Sequence, residues 1–156
     1  LDTDQVLRTI ARLSVPALAD WCSVDMIEPD GSVRRVAVTH ADPTKQDIID
    51  MAATYPPDPE ARHPRTAVLR SGRSVLFREV PEEGLAQIAA DEKHLAALRR
   101  LAYGSTSIVA VGARGRILGV LTVATTSESG RRNGPDNLAF AEDLAHRAGG
   151  TRGAER

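Results

Sequence analysis

The sequence predicts one α+β domain built on a largely antiparallel sheet with helices packed against it. Three observations carry that expectation. Two pairs of strand-like runs, 21–27 with 33–39 and 105–111 with 117–125, are each joined by a turn too short for a crossover, so each pair reads as a hairpin. Apolar residues at helical spacing precede, separate and follow these pairs. No internal repeat runs through the chain. Strands linked by hairpins pair antiparallel, which disfavours a Rossmann-type nucleotide fold.

In chain order, Val6, Leu7, Ile10, Ala11, Leu13 and Val15 fall at near-helical spacing until Pro16 interrupts them. A first helix therefore ends near Leu13 or restarts briefly before Asp20. The run 21–27 alternates with period two, placing Cys22, Val24 and Met26 on one face and Trp21, Ser23 and Asp25 on the other. Pro29-Asp30-Gly31 supplies the turn into the β-branched run 33–39. Pro43 suits a helix start, and the helix over 44–55 stops at Pro56-Pro57. The stretch 56–64, with four prolines among polar residues, is expected to be an ordered but irregular loop.

Residues 65–69 then read as a short helix closed by Gly72, followed by a brief strand at 74–77. Two helices follow over 81–90 and 91–101, with Leu85, Ile88 and Ala89 and then Leu95, Leu98 and Leu101 turned inward. The strands at 105–111 and 117–125 meet through Ala113-Arg114-Gly115-Arg116. After a polar loop with Gly130 and Gly134, Pro135 opens a last helix whose apolar side is Leu138, Phe140, Ala141, Leu144 and Ala145.

Composition narrows the function classes. At 156 residues, with 42% hydrophobic and 26% charged, the chain has the length and content of one domain with its own core. We assign that domain to 1–150 and read 151–156 as a tail or the start of a linker. Twenty basic and 21 acidic residues leave a net charge of −1 spread along the chain, so no footprint for nucleic acid exists. Arg34-Arg35, Arg99-Arg100 and Arg131-Arg132 read as solvated faces. A lone Cys22 excludes an internal disulfide and a multi-thiol metal site, and fits a reducing cytoplasm. No apolar run approaches the roughly 20 residues of a membrane span. The first residues lack a signal peptide's layout, and a start without methionine suggests a piece of a longer protein.

Several stretches together resemble one family. LADWCSVDMIEPDGSVRRVAVTHADP at 18–43 is similar to the opening strands of GAF domains, and AVLRSGRSVLF at 67–77 to their central helix and following short strand. STSIVAVGARGRILGVLTVATT at 105–126 resembles their last two strands, and 136–148 their closing helix. The resemblance covers nearly the whole chain. It implies a GAF/PAS-like sheet of about five to six strands, with the terminal helices on one face and the middle helices and loops, which can enclose a small molecule, on the other. It also implies a domain of a sensor kinase, a phosphatase-type regulator or a transcription regulator, cytoplasmic and covalently attached to an output domain. The WC pair and the proline-rich middle loop look like GAF domains of bacterial multidomain signalling proteins. Eighteen arginines against Lys45 and Lys93 suit a high-GC bacterial source.

Departures from known subgroups matter as well. The Asn-Lys-Phe-Asp-Glu set of cyclic-nucleotide binders has no equivalent here. Bilin-attaching members need a cysteine in the second half, and methionine-sulfoxide reductases use several, whereas Cys22 reads as a buried thiol with a raised pKa. A haem-binding subgroup uses one histidine, which leaves His40, His63 and His94 open; with no i, i+4 pair among the four histidines, a zinc site is not expected. No Gly-x-Ser-x-Gly elbow surrounds Ser23, Ser105 or Ser107, and 129–134 lacks a phosphate-loop pattern, so the chain is not expected to be an enzyme.

The candidate pocket is the second face of the first strand, Trp21, Ser23 and Asp25, which the resemblance points toward the ligand cavity. His40 from the neighbouring strand and Ser107 and Thr122 from the later pair complete it. The competing reading makes Trp21 ordinary core and Asp25 a solvent-facing strand residue. Two functions follow. In one, a ligand of unspecified identity shifts the terminal helices between two states. In the other, the domain is a ligand-free dimerisation and relay module, and apolar residues left exposed on both terminal helices would favour it. A homodimer through those helices suits either.

Overall fold

In a computed structural model, the structure describes residues 3–15, 19–55, 63–113 and 115–154. Helix α1 (Thr3–Ser14) leads into strand β1 (Trp21–Ile27) and its hairpin partner β2 (Val33–His40). A 3-10 turn at Pro43–Lys45 opens α2 (Gln46–Ala52), and then come α3 (Pro64–Ser71), β3 (Val75–Phe77), α4 (Glu82–Ile88) and α5 (Glu92–Arg100). The long strands β4 (Tyr103–Ala113) and β5 (Arg116–Thr126) precede α6 (Pro135–Ala154). Most of the proline-rich stretch, 56–62, lies outside the described residues. Helix α6 runs on to Ala154, through the first four residues of the expected tail or linker.

The five strands form one sheet in the order β2-β1-β5-β4-β3, antiparallel throughout. Each turn has a visible cause. Gly31, at φ 89°, gives the left-handed residue between β1 and β2, while the Asp30 carboxylate accepts from the Ser32 N–H at 2.9 Å. Gly119 lets β5 approach β1 closely: a Cβ there would overlap the Asp25 carbonyl oxygen and lie 2.5 Å from the Met26 sulfur.

Period-two alternation sorts the sheet's two faces. Cys22, Val24 and Met26 pack with Val109, Leu121 and Val123 against Leu7 and Ala11 of α1 and Ala141 and Ala145 of α6. On the opposite face Trp21 and Ala124 pack against Ile48, Ile49, Leu85, Leu98 and Leu101, and Val68 and Leu69 of α3 cover Ile108 and Val120. The terminal helices thus occupy one face and the middle helices the other, as the family resemblance implies. Cys22 is fully buried, and burial together with the nearby Asp25 charge pushes its thiol up to about 12. It is a structural residue, inert as a nucleophile.

Two side chains depart from the expected stripes. Leu13 on α1 is 70% exposed and Phe140 on α6 is 49% exposed. The apolar periodicity is broader than the contact stripe: Ala141 and Ala145 form the buried seam of α6, and Phe140, about 100° round from Ala141, is left outside it. No helix among the described residues is long and apolar enough to cross a membrane.

Candidate functional site

A cavity of about 260 Å³ opens on the sheet face that carries the middle helices. Its floor is sheet: the alternation of β4 presents Thr106 and Ile108, and Thr122 of β5 lies opposite Ile108. One wall is the start of α3, where His63, Pro64 and Arg65 meet the cavity. Pro64 sits at the first helical position, and His63 Nδ1 caps the helix by accepting from the Arg65 N–H at 3.0 Å. Gly72, left-handed at φ 73°, closes the same helix. The other wall, from β3 to α4, is largely apolar, with Phe77, Val80, Pro81 and Ile88, and carries Glu79 and Gln87 as its polar members.

Arg65 is the unusual residue. It is 9% exposed, shares its buried helix stripe with Val68 and Leu69, and donates from Nε to Thr122 Oγ1 at 3.0 Å. The Tyr103 hydroxyl stands beside its guanidinium. Burial and the neighbouring Arg35 charge both oppose its ionisation. Its nearest buried carboxylate is committed elsewhere: Asp25 binds Arg35 with both oxygens, at 2.7 and 3.3 Å, and Arg35 also donates to the Ala52 carbonyl at 2.8 Å. Among the described residues Arg65 has no ion-pair partner. Close by, the Thr106 hydroxyl is buried without a hydrogen-bond partner.

His63 completes the polar set. Burial, together with the Arg65 and Arg35 charges, pushes its imidazole down to about 3, so the ring is neutral near pH 7. Since Nδ1 accepts, the proton belongs on Nε2, and the ring is a hydrogen-bond donor in the cavity wall. The unfolded chain protonates this ring near its ordinary value of 6.5 while the folded chain resists down to about 3. Stability from this group is therefore full above pH 6.5 and declines as pH falls toward 3, by at most about 1.4 kcal/mol per unit. His63→Asn keeps a capping acceptor and removes the titration. Its urea midpoint is expected to fall less between pH 6.5 and 5 than that of the wild type, and equal slopes would remove His63 from the account.

The family model described as "GAF domain" matches residues 2–151. The chain is a GAF domain. Solved structures agree on the fold. The GAF domain/HD domain protein from Geobacter sulfurreducens superposes with TM-score 0.71 at 18% identity over 95% of this chain and 90% of that one. The second GAF domain of DevS from Mycobacterium smegmatis gives 0.70 at 15% identity over 99% and 95%. The GAF domain of the Acinetobacter phosphoenolpyruvate-protein phosphotransferase gives 0.72 at 13% over 99% and 84%. No curated protein sequence matches the chain.

Within this GAF domain the residues expected to line the pocket are distributed unevenly. Trp21, Ser23, Asp25 and Thr122 do share the middle-helix face, with Ser23 directly opposite Thr122 across β1 and β5. Only Thr122 reaches the open cavity. Trp21 packs edge-on against Tyr103 with ring centroids 5.2 Å apart, and the space left around Trp21 and Ser23 is about 20 Å³. Asp25 neither lines a cavity nor faces solvent, because it is fully buried in its pair with Arg35. His40 shares the face but sits at the end of β2 opposite Trp21, with Nδ1 accepting from the Asp42 N–H at 2.9 Å. Ser107 faces the other way: its partner Val123 belongs to the layer under α1 and α6. Continued from the turn pair Ala113–Arg116, the ladder would set Ser107 opposite Thr122, but a register shift between Val111 and Gly112 gives that place to Ile108.

Arg65 and Thr106 are the functional candidates that sequence reasoning missed, while His63 was singled out only as one of three histidines open to haem. A signal for Arg65 was present: with Val68 and Leu69 three and four residues on, a charged residue occupies the apolar stripe of a short helix. Thr106 had none, since its face depends on the register shift.

Proposed function

We propose that this GAF domain is the regulatory, ligand-sensing unit of a larger cytoplasmic signalling protein, with no catalytic step of its own. The observation that carries the reading is the cavity of about 260 Å³ itself, apolar on most sides yet provided with a buried guanidinium and an unpartnered hydroxyl. That combination suits a small molecule, near the lower end of the roughly 300–1,000 Å³ usual for ligand pockets.

A route from cavity to output supports the same reading. Next to Thr106, the Ser105 hydroxyl shares a 2.7 Å hydrogen bond with Thr125 and accepts from the Asn133 N–H at 2.6 Å. Asn133 reaches the Val123 carbonyl at 3.3 Å and precedes the first turn of α6. Asp20 fastens the same loop, accepting from the Thr126 N–H at 2.7 Å and from the Ser129 hydroxyl. A ligand that engages Thr106 therefore acts on a strand whose adjacent residue holds the entrance to α6, an element whose shift an attached domain could read. A thermal-shift screen of small metabolites, followed by hydrogen exchange, tests this. A stabilising compound is expected to change protection at 127–137, and a screen in which nothing stabilises the domain would overturn the reading.

The relay reading is favoured by one observation, the exposure of Leu13 and Phe140 on the two terminal helices, which touch each other on the same face. A symmetric dimer would bury both. Light scattering is expected to show a dimer that Leu13→Glu with Phe140→Glu converts to monomer. A monomeric wild type at tens of micromolar would remove this alternative.

A further inference from the structure

We propose that the cavity receives a small monocarboxylate with an apolar body, its carboxylate seated on the Arg65 guanidinium and the Thr106 hydroxyl. The inference rests on the cavity being a ligand site and names the chemistry of the ligand.

Charge counting is the first argument. Among the described residues, the side chains packed between β1, β2 and α3 include two guanidiniums, Arg35 and Arg65, but one carboxylate, Asp25, which is bound by both oxygens to Arg35. One positive charge is therefore in excess. Arginine does not shed its proton, and a buried charge without a counter-ion is strongly unfavourable, so an anion entering beside Arg65 would be favoured. With Nε committed to Thr122 and the Tyr103 hydroxyl beside the fork, Arg65 still has Nη–H donors with no carboxylate or carbonyl acceptor among the described residues. A guanidinium presented in this way matches a planar carboxylate.

Thr106 is independent of that count. The residue is 4% exposed, its buried hydroxyl lacks a partner among the described residues, and it lines the cavity diagonally across the β4–β5 ladder from Thr122, the residue that anchors Arg65. A buried hydroxyl left without a bond is unfavourable, and a carboxylate oxygen would satisfy it. His63, neutral with its hydrogen on Nε2, adds a second uncharged donor in the wall.

The rest of the lining limits the ligand to one negative charge. Phe77, Val80, Pro81, Ile88 and Ile108 offer only apolar surface, and Glu79 supplies the one carboxylate among the described lining residues. A phosphate dianion or a dicarboxylate would exceed the single available positive charge and meet Glu79. One carboxylate on a branched aliphatic or aromatic body fits both the charge and the walls.

The test compares acids with their own amides on the wild-type protein: 4-methylpentanoate with 4-methylpentanamide, phenylacetate with phenylacetamide, and inorganic phosphate alone. At roughly 100 times its Kd, a fitting carboxylate is expected to raise Tm by about 5–10 °C while its amide leaves Tm unchanged. Arg65→Met is expected to abolish that shift with the ligand-free Tm unchanged or higher, because an uncompensated charge has been removed. Arg65→Lys should retain a weaker response, and Thr106→Val should lower affinity on a native fold. Equal stabilisation by acid and amide, or stabilisation by phosphate in place of the acids, would overturn the carboxylate assignment while leaving a ligand site. Stabilisation by no compound of any charge would overturn the ligand site as well.

Discussion

Asp25→Ala is expected to cost about 3–5 kcal/mol, lowering Tm by roughly 10 °C or more. Among the described residues, the mutation removes the one carboxylate bound to Arg35, whose side chain is 7% exposed, and leaves Arg35 and Arg65 as buried charges without it. The loss reflects the stranded charge rather than the worth of the pair, so Asp25→Leu combined with Arg35→Met should recover most of it. Urea unfolding followed by far-ultraviolet circular dichroism would measure both. A near-native midpoint for Asp25→Ala would mean that solvent reaches Arg35 and that the buried-layer charge count is wrong. The result also guards against a misreading: lost ligand response in this variant would report a disrupted β1–β2 pair, not a broken ligand contact.

Gly119→Ala should rank close behind, at about 3 kcal/mol. The new Cβ has no room against the Asp25 carbonyl and sits 2.5 Å from the Met26 sulfur and 3.0 Å from the Met26 Cα. The obstacle is largely backbone, in strands buried on both faces, so relief requires β1 and β5 to separate where Met26 pairs with Gly119. A urea midpoint within experimental error of the wild type would show that the two strands are less closely apposed.

The large features of the fold were legible in the sequence because each rests on a local, periodic cause. Cys22, Val24 and Met26 alternate with Trp21, Ser23 and Asp25, and the structure divides them between two layers along that line. Pro64 and Gly72 bracket α3, and short turns make the strand pairs antiparallel. The candidate site was legible only to the level of which face of β1 and β5 carries it. Trp21 and Ser23 lie on the cavity's face of the sheet, but the neighbouring Tyr103 and Leu98 fill the space beside them, and which spaces are filled is a property of the packed whole. Asp25 looked like a pocket carboxylate because its partner Arg35 stands across the hairpin at a position that a register shift between Val24 and Asp25 determines. The same kind of irregularity misplaced Ser107 and concealed Thr106.

The edge-on contact between Trp21 and Tyr103 has an optical consequence. Trp21 is the only tryptophan of the chain, it is 2% exposed, and its indole nitrogen makes no hydrogen bond among the described residues. Its emission should therefore lie toward the blue, as for an indole in a nonpolar solvent. Tyr103, the ring it touches at 5.2 Å, also lines the cavity and stands against Arg65. Anything that draws the guanidinium aside disturbs the tyrosine, and the tyrosine disturbs the indole. The domain carries its own unlabelled fluorophore one ring away from the cavity, so occupancy can be titrated from the intensity and wavelength of a single chromophore.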